Sequence, residues 1–539
     1  MSLLTEAWMP VRYADGNRKW ISPEQITESG IVAFDANRAD FNGALIQFMI
    51  GLLQTTVTIP NPGQWRNYLN APPDAATLHS WFAPHADAFV YQGNGARFMQ
   101  DYSLPFNEKE AVVIDGLLIE APGDNTIKNN TDHFIKRSQV NAMCPHCAVT
   151  ALLTLQINAP SGGVGHRTGL RGGGPLTTLV VGEKRDSLWR DIWLNVSETR
   201  RFLGWNEDSS KTEPHFIFPW LTDMGTLQAE GGSLAPIQVH PAHVFWAMPR
   251  RIRIDFDTGH EGECDICGRA SERLAVRYTT KNYGLNYKGA WNHPLSPYYE
   301  TKEGWLPVHP QPGGFGYRHW LAWVSNFQEK RRCAGVVNDA LVHRLQPAGV
   351  PLRLRAFGYD MDNMKARCWY ESTLPLYNLD ELGSDTQEFI AHEIERWLEG
   401  MDLARFFLSK AVKGAWFGAD ARGDFSMIDA SFWSDTEEAF YRGLKELMLG
   451  APNAEALHAR QQQLAEQWRQ ALKHAALRLF DQVFVGTGAV ERQHPRRIAE
   501  AHRVLTGNLE GKKFYEAFGL SKPEGSKEKP GRKPQNAAV

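Results

Sequence analysis

The C-terminal third of the chain carries the helical period. Phe389, Ile390, Ile394, Trp397, Leu398, Met401 and Leu403 recur at three- and four-residue intervals, which predicts a helix beginning near 385. A second helix is predicted over 436–449. A third runs over 453–484, with Leu457, Leu464, Trp468, Leu472, Ala476, Leu479 and Phe480 on one side, and a fourth lies within 495–518. Amphipathic helices in succession with moderate connections predict a bundle. Up to about 370 the pattern is mixed. Short β-like runs at 111–114, 176–181 and 251–256 alternate with turn clusters of Pro, Gly, Asn and Asp. Residues 40–53 read as an apolar helix, and 147–157 fits either helix or strand. The expectation is an α+β chain: a mixed α/β domain over 1–370, a four-helix bundle over 371–520, and a polar, Pro-rich, basic tail over 521–539 that cannot bury enough apolar surface to order itself.

Composition narrows the classes. A chain of 539 residues exceeds one ordinary domain, and 58 Lys+Arg against 61 Asp+Glu exclude a uniformly basic nucleic-acid binder. Any such surface must be a local patch. The first residues lack a signal peptide and no run is long enough to span a bilayer, so the expected location is cytoplasmic, with no membrane partner. Four of six cysteines form two Cys-x-x-Cys pairs, Cys144/Cys147 and Cys264/Cys267. Four thiolates suffice for a closed structural zinc site. The fold must bring the pairs together across more than one hundred residues, so two separate thiol pairs or redox chemistry remain alternatives. Gly268 suits the tight turn of a metal knuckle. A Cys₄ site leaves no open position for catalysis, and His146, inside a pair that already supplies two donors, is expected to be exposed.

The stretch NAPSGGVGHRTGLRGGG over 158–174 packs seven glycines around His166, Arg167 and Arg171. Glycine costs backbone entropy, so this density suggests a backbone that must approach something bulky, and the arginines suggest a phosphate-bearing partner. A surface turn with tight crossings is the plainer explanation. TKNYGLNYK over 280–288 suits phosphate and base contacts, or a tyrosine-rich hairpin. GYDMDNMKARCWYE over 358–371 reads as a turn with Met364 at its tip. Such a tip acts as a wedge between base pairs or tucks into the core. Phosphate-loop, dinucleotide and nucleophile-elbow motifs are missing.

These segments together resemble the large subunit of the type I-E CRISPR surveillance complex, the CasA family of Cascade. The resemblance rests on SLLTEAWMPV, CPHC, the stretch from Ala159 through GLRGGGPLTTLV, CDICG, WNHPLSP, GYDMDNMKARCWYE and the helical region, covering nearly the whole chain before about 520. It implies an N-terminal domain of unusual mixed fold and a C-terminal four-helix bundle. It further implies a non-catalytic subunit that reads the protospacer-adjacent motif of double-stranded DNA from the minor groove and helps open the duplex for the guide RNA. The family's glycine loop falls on Ser161, Gly162, Gly163, Val164 and Gly165. Its hairpin lysine falls on Lys281 or Asn282, with counting from WNHPLSP favouring Asn282. Its wedge falls on Asn363 or Met364, where better-known members carry glutamine. Its guide-RNA-anchoring loop falls on Phe134, Ile135 and Lys136. Implied partners are target DNA, guide RNA, the backbone, small and 5′-end-binding subunits, and a helicase-nuclease that performs cleavage. Two competing functions remain: a zinc-dependent nuclease using His293, and a scaffold whose bundle only docks other subunits.

Overall fold

The computed structural model describes all residues except 123–127, 130–138, 205–210, 223–231, 326–329, 344–351, 363–364, 378–383, 418–424, 450–453, 487–494 and 524–539. The expected tail therefore lies almost wholly outside the described residues. The chain is α+β and divides into two compact units, Met1–Phe315 with Ala322–Asp380, and Gly316–Leu321 with Glu381–Val539.

The first unit is built around helix Ala39–Thr56. Its sequence is apolar on nearly every face, so it is buried nearly all round. Phe48 anchors an edge-to-face aromatic cluster, with ring centroids 5.2 Å from Trp8 and 5.9 Å from Phe89, Phe98 and Trp246. A three-stranded sheet, Arg18–Ile21, Met9–Tyr13 and Ile31–Phe34 in spatial order, comes from a segment that sequence pattern did not flag. The 147–157 ambiguity resolves to helix Pro145–Asn158, which starts at Pro145 with Cys144 as its N-cap.

Of the expected β-runs, 176–181 is strand Thr177–Gly182 and 251–256 is strand Arg251–Ile254. The run 111–114 shrinks to Val112–Val113, because Ile114–Leu117 turns into a 3₁₀ helix that buries Ile114 and Leu117. The segment read as a turn over 358–371 is mostly strand. Leu352–Asp362 and Lys365–Leu376 form a long antiparallel hairpin ending at the pair Asp362↔Lys365, and the first of them also pairs with Thr177–Gly182. That hairpin carries the first unit past the expected 370/371 boundary.

In the second unit, helices Ser384–Trp416, Ser426–Met448, Ala454–Arg478 and Pro495–Leu509 bury their apolar stripes together. The second begins ten residues before the expected 436, because Ile428, Phe432, Thr436, Phe440 and Leu444 continue one four-residue ladder. The fourth stops at Leu509 instead of running toward 518; Gly511 then caps a separate helix, Lys512–Glu516. Tyr317 of the short Gly316–Leu321 segment stacks on Phe440 at 4.6 Å and shares a 2.7 Å hydrogen bond with Thr436 Oγ1. Among the described residues no helix is long and apolar enough to cross a membrane.

Candidate nucleic-acid interface and metal centre

Beyond helix Pro145–Asn158 the chain enters the glycine-rich segment, which divides into two parts with different physics. The tip, residues 161–165, projects outward. Ser161, Gly163 and Val164 are exposed, Val164 at 78%. Gly163 and Gly165 hold φ of +81° and +79°, left-handed conformations that a residue with a Cβ rarely adopts. A Cβ on Gly163 would meet nothing within 4 Å, whereas one on Gly165 would lie 2.7 Å from Asn282 Cβ. So Gly163 is open on its outer side, and Gly165 is pressed against the neighbouring strand end.

Second-half glycines serve packing. A Cβ on Gly169 would come 2.7 Å from the Ile157 carbonyl, and one on Gly174 would come 2.8 Å from that of Tyr359. Arg171 is likewise internal, at 4% exposure. Its guanidinium donates to Thr177 Oγ1 at 3.0 Å, to Ser296 Oγ at 3.1 Å and to Gln47 Oε1. Burial lowers its pKa to about 10. Of the two arginines read as phosphate partners, Arg171 is thus a core residue; Arg167 sits 5.5 Å over the Tyr283 ring.

The tip is braced from strands Arg251–Ile254 and Arg277–Lys281, which pair with Arg251 opposite Lys281. Asn282 Nδ2 donates to the Val164 carbonyl at 3.0 Å, and Tyr283 N–H donates to that of Gly165 at 2.9 Å. From behind, the Arg250 guanidinium donates to the Pro160 carbonyl and to His166 Nδ1. Burial lowers Arg250 to about 10 and, with Arg250 adjacent, lowers His166 below its ordinary value. Of the two candidate positions on the neighbouring strand end, it is Asn282 that contacts the glycine tip. Asn282 spends its amide on the loop, while Lys281, exposed at the strand end, is the cation beside it. Arg250 escaped the sequence reading; nothing in PRRIRI separates a brace from an ordinary strand-edge arginine.

Asn363 and Met364 lie outside the described residues, as do Phe134, Ile135 and Lys136. The hairpin leading to the wedge position is braced by Arg367, which forks onto Asp360 at 2.8 and 3.1 Å.

The four cysteines converge. Cys144 is the N-cap of its helix and Cys147 lies in the first turn; Cys264 and Cys267 sit in the turn joining strands His260–Glu263 and Ala270–Leu274. Met143 and Ala275 pair across the gap, and Asp265 Oδ2 accepts from the Asn141 and Ala142 N–H groups at 2.7 and 2.9 Å. Gly268, at φ +72°, lets its N–H reach the Cys264 carbonyl at 2.8 Å. The four Sγ atoms lie within 4.8 Å of one another, an arrangement that could bind a metal ion. Hydrogen bonds from Cys144, then Cys147, hold the Cys264 thiol far below its ordinary value and Cys267 at about 7, while Cys147, bonded to the other three, is pushed up. His146 is half-buried, not exposed as expected. Its Nε2 faces Glu6 Oε2 at 3.2 Å, and burial lowers its pKa despite that carboxylate.

His293 is 3% exposed, accepts from the Leu295 N–H at 3.2 Å and packs against the Phe245 ring at 5.1 Å. Burial, with Arg171 nearby, keeps it uncharged. A buried imidazole of this kind is a poor candidate for the nuclease role.

The fold these units define is that of solved Cse1 and CasA proteins. Thermus thermophilus CasA matches with a TM-score of 0.65 at 17% identity, covering 94% of this chain and 99% of that one. Thermobifida fusca Cse1 matches at 0.66 and 15%, covering 96% and 98%. A chain from a structure described as a CRISPR RNA-guided surveillance complex matches at 0.65 and 14%, covering 95% and 99%. Residues 2–479 match the family described as CRISPR-associated protein Cse1, and the chain belongs to that family.

Proposed function

We propose that this chain is the large, non-catalytic subunit of a type I-E RNA-guided antiviral complex, which reads the protospacer-adjacent motif of double-stranded DNA through the minor groove. The observation that carries the proposal is the exposed tip 161–165, whose left-handed Gly163 has open space where a side chain would stand, held against Asn282 at the end of the strand that carries the exposed Lys281. Minor-groove edges present a degenerate pattern that mainly separates A·T from G·C, so a backbone probe yields tolerant motif reading. Lys281 contributes a phosphate contact, and Asn282 and Arg250 hold the probe in register. A wedge at Asn363 or Met364 offsets the few kcal/mol needed to unstack the first pairs. Exchange of DNA pairing for RNA–DNA pairing is then near balance, by analogy with other guided effectors. Phe134, Ile135 and Lys136 anchor the chain to the guide RNA, and the bundle docks neighbouring subunits. The reading assigns no hydrolytic step to this chain; a recruited helicase-nuclease cuts. It places the complex in the cytoplasm. Cys144, Cys147, Cys264 and Cys267 hold one structural zinc, which would fix the start of the helix leading into the tip.

The test assembles the other subunits and guide RNA, adds this chain last, and measures binding to matched duplexes with and without a candidate motif. Motif-dependent tightening is expected only with this chain present; no change on adding it defeats the proposal. Two substitutions separate the roles beside the tip. Lys281→Gln is expected to weaken all duplexes alike and reduce the salt slope of log K by about 1. Asn282→Ala, which removes one brace worth about 1 kcal/mol, is expected to cost about fivefold in motif-dependent binding and leave the salt slope unchanged.

A further inference from the structure

A cavity in the first unit, of about 920 Å³, shares no lining residue with the glycine tip or the cysteine cluster. It falls within the size range of small-molecule sites. Its walls combine flat rings with cations. Trp291 and Trp305 line it together with Phe202. Three arginines converge there. Arg201 is neutralised by Glu198 at 2.7 Å and Asp339 at 3.8 Å. The other two are not. Arg200 is exposed and has no ion-pair partner among the described residues. Among the described residues Arg332 is held by rings alone, its guanidinium 4.6 Å over Trp305 and 4.8 Å over Tyr298, and its buried Nε has no hydrogen-bond partner.

A half-buried guanidinium kept on aromatic faces without a carboxylate retains N–H donors that a phosphate can take up in a charge-assisted fork. Burial lowers Arg332 below its ordinary value, which an incoming negative charge would reverse. Trp305, half-buried, offers an adjacent ring for a planar base, a sequence-tolerant contact, and Trp291, 7% exposed and packed on Tyr287 and His243, backs that wall. We propose that this cavity binds a nucleoside phosphate, its phosphate on Arg200 and Arg332 and its base on the Trp291–Trp305 wall. Asp339, already spent on Arg201 and on Ser197 Oγ at 2.7 Å, leaves those two cations to the ligand.

The ligand is either a free nucleotide or the phosphorylated end of a strand, and one titration series separates them. Full-length protein is titrated calorimetrically with AMP, adenosine, inorganic phosphate and a 5′-phosphorylated trinucleotide. AMP is expected to bind saturably, with adenosine and phosphate each at least tenfold weaker. Tighter binding of the trinucleotide than of AMP assigns a strand end; the reverse order assigns a free nucleotide. Arg332→Gln and Arg200→Gln are each expected to weaken AMP at least tenfold, and R200Q, at an exposed position, keeps the test valid should R332Q misfold. Absence of saturable binding by AMP and trinucleotide overturns the proposal. So does inorganic phosphate binding as well as AMP, or R200Q binding AMP as the unaltered chain does.

Discussion

Gly163→Val is expected to abolish motif-dependent tightening of the assembled complex on target DNA, with a loss of at least about tenfold, while the chain folds and assembles normally. Two effects combine. A β-branched residue at φ +81° is strained by about 1–3 kcal/mol, which would rearrange the tip. Valine's methyl groups would also occupy the open space through which the backbone reaches its target. Because a Cβ at 163 meets no protein atom within 4 Å, the strain is confined to the tip and should not spread into the core. Gly163→Asn separates the two effects, since asparagine tolerates the left-handed region far better than valine. If close approach of bare backbone is what matters, the asparagine variant keeps wild-type melting and still fails to discriminate the motif. Wild-type discrimination by both variants would remove the tip from the recognition surface. The readout is the affinity ratio between motif-bearing and motif-free duplexes, because non-specific phosphate contacts cancel in that ratio.

The glycine segment marks how far residue order alone could carry the site. Its density announced close approach of backbone to something, which in the second half is the chain itself, and sequence cannot tell an external partner from the chain. Gly169 is small because the Ile157 carbonyl passes close by, and Arg171 is beside it because Gln47, Thr177 and Ser296 need a donor in the core. Those partners lie up to 125 residues away. The bundle was easier to read, since an amphipathic stripe is written in local spacing. Only its ends slipped, as at Ser426, where Ser434 and Asp435 imitate an N-terminal cap inside a continuous helix. The long hairpin was missed for the opposite reason. Strand Leu352–Asp362 is covered on both faces, with Arg355 buried against Glu371 at 2.8 Å, so it lacks the in–out alternation that betrays a half-exposed strand. The sequence pattern reads this stretch as a turn and misses its strands.

Cys264→Ser is expected to remove bound zinc, from about one per chain to none, and to lower the first melting transition by several degrees or more. The argument starts from sulfur positions. Zinc–thiolate bonds of ~2.3 Å in a tetrahedron place sulfurs ~3.8 Å apart, and Cys144 and Cys267 Sγ stand at 3.8 Å in a cluster in which no pair exceeds 4.8 Å. The two pairs are joined in the fold chiefly by the Met143–Ala275 bridge and the Asp265 contacts, so a metal ion would tie segments that sequence separates by more than one hundred residues. Closing so long a loop is where a cross-link gains most against the unfolded chain. Serine at 264 removes one ligand and leaves three thiols that hold zinc far less tightly. Cys368→Ser, at a half-buried cysteine outside the cluster, controls for the loss of a thiol as such and should keep the full metal content. The cluster also abuts helix Pro145–Asn158, whose far end feeds the glycine tip, so loss of metal should carry a functional signature. C264S is expected to weaken motif discrimination before it prevents assembly. A purified chain free of zinc and as stable as one reconstituted with it would leave the four thiols as a packed cluster and nothing more.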